Sequence, residues 1–123
     1  VEPYDAFLLE NCESEIIDKG GNIFFGKLNG VVIGTYAILA PVDGCVELGK
    51  MAITAKHQGK GYGQQLLQHA ISTAVALGHK EMLLYSNRKL ENSIYLYRKF
   101  GFNEVPNEDS PYERGDIKML LKL

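Results

Sequence analysis

Long apolar runs are missing from this chain. No stretch of its 123 residues approaches the ~18 consecutive apolar residues of a membrane-spanning helix, and its start lacks the pattern of a signal peptide. A cytoplasmic protein with no membrane partner is the expectation. Cysteine is scarce: Cys12 and Cys45 match neither a disulfide framework nor the paired spacing of a zinc site, and each lies among apolar neighbours, which reads as two buried, reduced thiols. Net charge is small, at -2 from 13 basic and 15 acidic residues, so no basic field marks nucleic acid as a partner. His57, His69 and His79 are not spaced as metal ligands, and no Ser-His-Asp or Cys-His arrangement follows from residue order. Neither a metal nor a covalent nucleophile is expected. The tyrosines are scattered, which argues against a platform for stacking bases. With no repeat, no linker and 46% hydrophobic residues, residues 1–123 read as one domain with a real core.

The periodicities that are present divide the chain. Leu8, Cys12 and Ile16 recur every fourth residue before Gly20-Gly21, which predicts an amphipathic helix. "NIFFGKL" and "VVIGTYAILA" flank Asn29-Gly30, a pair suited to a two-residue hairpin turn between antiparallel strands. After Pro41 to Gly44, "CVELGKMAI" predicts a further strand in which Gly49 marks either a bulge or a close backbone approach. Leu66/Leu67, Ala70/Ile71 and Ala74/Val75 predict a helix that Gly78 ends. "EMLLYS" predicts a buried strand, and Leu90, Ile94 and Tyr97 a second helix stopping before Gly101. "GFNEV" and "DIKMLLKL" close the chain as strands around the polar loop "PNEDSPYERG". The sum is an α/β sheet with helices packed on it.

Between strand and helix lies "HQGKGYGQQLLQHA", with glycines at 59, 61 and 63. A strand, a glycine-rich turn and a helix start suit an anion, because the first helical N–H groups lack partners and the helix dipole is positive there. Two familiar phosphate loops are excluded by spacing. Gln64 and Gln65 stand where a P-loop needs Lys and Ser/Thr, and Gly59-Lys60-Gly61-Tyr62-Gly63 falls one residue short of a dinucleotide fingerprint.

"QGKGYG" has the form Gln/Arg-x-x-Gly-x-Gly/Ala, and with the preceding "VELGKMAI" it resembles the coenzyme A segment of the GNAT superfamily of N-acetyltransferases. "SIYLYRKFGF", Ser93 to Phe102, is similar to that family's second element, and the two come in the family's order, separated by a helix and a strand. The resemblance extends from about Asn22 to the C-terminus. It implies a mixed, mostly antiparallel sheet with helices on both faces, and a family member's first strand and helix are expected to be short or missing here. It further implies that Gln58, Gly59, Lys60, Gly61, Tyr62 and Gly63 cradle the pyrophosphate of acetyl-coenzyme A. Backbone of Met51, Ala52 and Ile53, on a bulged strand splayed from its neighbour, would line the pantetheine arm. Lys60 read alone is equally a solvated lysine. Many relatives carry an Asn seven residues before the motif's Tyr; here that position is Leu90, and either Asn87 or Asn92 would replace it.

Acetyl transfer needs a neutral amine, a stabilised oxyanion and a proton for the departing thiolate. The resemblance implies Glu47 as base, Tyr97 as acid and a strand N–H near Ile53 as oxyanion donor. Read without it, Glu47 is an ordinary strand glutamate and Tyr97 a packing residue beside Leu90 and Ile94. The function expected is transfer of acetyl from acetyl-coenzyme A to an amine of a small molecule, peptide or protein. A catalytically silent acyl-coenzyme A binding domain is the alternative. A homodimer is left open. The loop's acids, Glu108, Asp109 and Glu113 against one Arg114, read either as a solvated loop with no role or as an acidic excess that steers a cationic acceptor at long range.

Overall fold

The computed structural model describes residues 12–17, 21–107 and 115–123. These form seven strands, β1 (Cys12–Ile17), β2 (Gly21–Leu28), β3 (Val31–Val42), β4 (Cys45–Ile53), β5 (Glu81–Ser86), β6 (Asn103–Val105) and β7 (Ile117–Lys122). Among the described residues two α-helices accompany them, α1 (Tyr62–Ala76) and α2 (Glu91–Lys99), with a 3-10 turn at Ala55–His57. The strands lie side by side in the order β1-β2-β3-β4-β5-β7-β6. Every neighbouring pair is antiparallel except β4 with β5, which α1 connects as a crossover. This is the mixed sheet the second half of the sequence implies.

The hairpin at Asn29-Gly30 forms with φ of 53° and 81°, the two positive angles its turn type requires. The helix predicted from Leu8 to Ile17 does not form over its second half. Cys12–Ile17 is instead an edge strand paired with β2, from Cys12 opposite Gly26 to Ile17 opposite Gly21. The first half, Leu8 and Leu9 included, lies outside the described residues, as do Glu108, Asp109, Glu113 and Arg114 of the polar loop. Gly49 is a close approach, since a Cβ there would stand 2.8 Å from Leu39 Cδ1. The bulge falls one residue later, at Lys50, with φ of 53°. Cys45 is only half-buried, and burial pushes its thiol above the ordinary cysteine range. Leu90 is exposed and caps α2 rather than joining its apolar stripe.

Helix α1 packs Tyr62, Leu66, Leu67, Ala70 and Ala74 against the face of the sheet that bears Ile33, Tyr36, Val46, Leu48, Met82 and Leu84, all buried. Helix α2 adds Ile94, Leu96 and Tyr97 to the same core, Tyr97 meeting the buried Phe102. One polar cluster interrupts this packing. Tyr36, with no exposed surface, stacks on Phe24 at 4.6 Å and meets Nδ1 of His69 with its hydroxyl at 2.7 Å. Burial lowers the His69 pKa, so the folded protein favours the neutral imidazole. As pH falls through about 6.5 the unfolded chain takes up that proton first, and stability decreases. The thermal midpoint is therefore expected to drop on acidification below that value. His69→Gln, which keeps a polar partner without titrating, should show a smaller drop. An identical acid profile in the two proteins would remove His69 from the account.

Candidate active site

Strands β4 and β5 pair over three residues only, Cys45, Val46 and Glu47 opposite Glu81, Met82 and Leu83. Their pairing ends at Glu47, and a cleft of about 720 Å³ lies between the far end of β4 and the start of α2. That volume is within the ~300–1,000 Å³ typical of small-molecule sites. Its walls come from three places: Met51, Ala52 and Ile53 at the end of β4; Gln58, Gly59 and Gly63 in the turn; and residues 89–93, Leu96 and Tyr97 around α2.

The turn is built to hold its shape without a capping side chain. Thr54 N–H donates to the Ile33 carbonyl of β3 at 2.8 Å, and Gln58 Nε2 donates to the Ile53 carbonyl of β4 at 2.9 Å, tying the loop back to both strands. Gly61 caps α1 at φ of 86°, a left-handed conformation that side chains resist. A Cβ on Gly59 or Gly61 would meet nothing of the chain within 4 Å, so backbone conformation rather than internal crowding calls for glycine there. The first intrahelical bond is Gln65 N–H to Gly61 C=O at 3.2 Å, which leaves the amides of the first turn directed out of the helix end. No acid stands in that turn. Lys99 Nζ reaches Gln64 Oε1 at 3.2 Å, so α2 places a cation beside the same helix end. Lys99 was not singled out from the sequence, although it is the lysine of the second motif.

Residues 2–102 match the model of the acetyltransferase (GNAT) family. The chain belongs to that family. It is 29% identical over 104 residues to an uncharacterized N-acetyltransferase, YvbK, of Bacillus subtilis, covering 82% of this chain and 67% of that protein. It is 21% identical over 98 residues to N-acetyltransferase 8 of Rattus norvegicus, covering 76% of this chain but only 44% of the relative. Among solved structures, an IAA acetyltransferase from Bacillus cereus superposes with a TM-score of 0.75 at 27% identity, over 84% of this chain and 78% of that one. A GNAT acetyltransferase from Elizabethkingia anophelis, solved with acetyl-CoA bound, has the same fold at a TM-score of 0.75 and 24% identity, over 84% and 76% of the two chains.

In this GNAT protein the residues singled out from the sequence divide by position. Met51, Ala52, Ile53, Gln58, Gly59, Gly63, Asn92 and Tyr97 line one cleft. Lys60 and Gly61 are exposed beside it, and the Tyr62 side chain is buried in the core, which leaves only its backbone at the turn. Asn87 stands at the foot of the β5–α2 loop, where its carbonyl accepts the Leu90 N–H at 2.9 Å. The same loop is fastened by Arg88, whose N–H donates to Asp116 Oδ1 at 2.8 Å and whose guanidinium pairs with Glu104. These anchors fix the start of α2 and hence the height of Tyr97. The Tyr97 ring meets Phe102 edge-on at 5.8 Å, and burial raises its phenol above the usual range. At neutral pH it holds its proton. Glu47 is half-buried at the fork itself, opposite Leu39 and Leu83, and is not among the residues lining the cleft. Among the described residues no helix is long and apolar enough to cross a membrane.

Proposed function

We propose that this protein transfers an acetyl group from acetyl-coenzyme A to a primary amine of a small molecule, peptide or protein. The observation that carries the reading is the cleft between the end of β4 and α2, with a helix end that has no side-chain cap on one wall and a protonated tyrosine on another. The pyrophosphate lies against the turn from Gln58 to Gly63, where the first amides of α1 and the positive end of its dipole offset the negative charge. The pantetheine arm runs along the backbone of Met51, Ala52 and Ile53, with Asn92 facing it from α2. The acceptor nitrogen attacks the thioester carbonyl, forming the C–N bond and an oxyanion. Glu47, directly or through water, takes the proton that the amine loses. As the intermediate collapses the C–S bond breaks, and Tyr97 gives its proton to the departing sulfur. N-acetylated amine and free coenzyme A leave, Glu47 gives its proton to solvent, and solvent restores the proton of Tyr97.

The test is a panel of amines, polyamines, amino acids, aminoglycosides and peptides scored for release of free thiol from acetyl-coenzyme A. Transfer to at least one amine is expected. Binding of acetyl-coenzyme A without thiol release on any of them would make the domain a silent binder. Glu47→Gln should remove the rise in rate with pH that a base produces, while coenzyme binding persists. An unchanged profile in single-turnover measurements would exclude Glu47 as the base.

A further inference from the structure

The bulge in β4 changes which way the strand faces. Val46 and Leu48 are buried on the side that packs against α1. In a regular strand only residues of the same parity would follow them, yet Met51 and Ile53 join that core. One extra residue on β4 makes the difference. Thr35 pairs with Ala52 and Ala37 with Gly49, so Tyr36 alone faces both Lys50 and Met51. Lys50 takes up the insertion in a left-handed conformation, φ 53°, that a lysine adopts reluctantly. Its carbonyl accepts a hydrogen bond from Thr35 Oγ1 at 2.8 Å. Gly34, the neighbour of Thr35, leaves room for Ile53, whose Cδ1 would stand 2.7 Å from a Cβ at that position.

We propose that Thr35 is a positioning residue for coenzyme binding: its hydroxyl holds the Lys50 bulge, and the bulge aims Met51, Ala52 and Ile53 at the cleft. Thr35 itself touches no substrate. Without the hydroxyl, the Lys50 carbonyl loses this side-chain donor and the strand regains the option of regular pairing. That slip would turn Met51 and Ile53 away from the core and close the backbone that the pantetheine arm needs. The effect on binding rests on the proposed function; the effect on the strand does not.

The experiment compares wild type, Thr35→Val, Thr35→Ser, Lys50→Gly and the double variant Thr35→Val with Lys50→Gly. Valine keeps the shape and strand preference of threonine, serine keeps the hydroxyl, and glycine accepts a left-handed φ at no steric cost. Calorimetric titration with acetyl-coenzyme A should show affinity about tenfold weaker in Thr35→Val, the size expected for one lost hydrogen bond. Thr35→Ser and Lys50→Gly should bind as wild type, and the double variant should recover most of the loss. A general packing defect would not be rescued by glycine at position 50. Wild-type affinity in Thr35→Val, or a double variant as weak as Thr35→Val, would overturn the proposal. Amide exchange at residues 50–53 in the unliganded protein reads the clamp without any ligand. Faster exchange in Thr35→Val that Lys50→Gly slows again supports the clamp, and unchanged exchange overturns it. Wild type that fails to bind acetyl-coenzyme A overturns the functional reading and leaves the exchange result to judge the clamp.

Discussion

Gly63→Val should leave a folded protein that acetyl-coenzyme A no longer stabilises. Gly63 lies in the first turn of α1 with ordinary helical backbone, and a Cβ there would meet only Ile53 Cγ1, at 3.9 Å. The chain therefore accommodates the side chain at the modest cost of valine in a helix. The cleft does not, because Gly63 is part of its lining. A ligand at ~100 times its dissociation constant stabilises the native state by about 2.7 kcal/mol, on the order of 10 °C in thermal midpoint for a domain of this size. Wild type should show that rise and Gly63→Val should lose it, with its own unliganded midpoint close to wild type. Gly61→Val serves as the contrast. Its φ of 86° strains any side chain, so it should lower the unliganded midpoint as well. A full ligand-induced rise in Gly63→Val would mean that the phosphates do not lie at this helix end.

What could be read in advance was local, and what could not was a matter of partners. Asn29-Gly30 names its own turn, and the fourfold spacing of Leu66, Ala70 and Ala74 names its own helix, because both are decided by backbone preferences within a few residues. The segment before Gly20 misleads for a definable reason. Residues four apart, such as Cys12 and Ile16, share a face in a helix and in a strand alike, so that spacing does not separate the two. The pairing of Cys12–Ile17 with β2 decides it. The fork is implied by the family resemblance and is invisible to residue patterning. Nothing in "CVELGKMAI" says that pairing with β5 ends at Glu47, since the partner strand lies beyond an entire helix. Gly49 reads as either a bulge or a close approach; it is the close approach, making room for Leu39, and the left-handed residue is the next one. Gln58 reads in the motif as a phosphate contact, while its side chain is engaged by the Ile53 carbonyl. In each case the residue was recognisable and its neighbour was not.

Tyr97→Phe should lower turnover by something like 10²-fold, at the low end for loss of a general acid, while coenzyme affinity and stability stay close to wild type. Phenylalanine retains the edge-on contact with Phe102 and the wall that Tyr97 contributes to the cleft, so only the hydroxyl is removed. Rate and binding should thus separate, which a packing role alone does not produce. The pH dependence sharpens the distinction. Burial raises the phenol above its ordinary range near 10, so the proton is present across the neutral and mildly alkaline range and wild type should lose no rate there on its account. The same shift carries a cost above about pH 10, where the unfolded chain releases its phenol proton first and stability falls as pH rises. Tyr97→Phe should remove that alkaline contribution to unfolding together with the catalytic proton. Unaltered turnover in Tyr97→Phe, measured under conditions where chemistry limits the rate, would return Tyr97 to the core with Phe102 and leave the thiolate to take its proton from water.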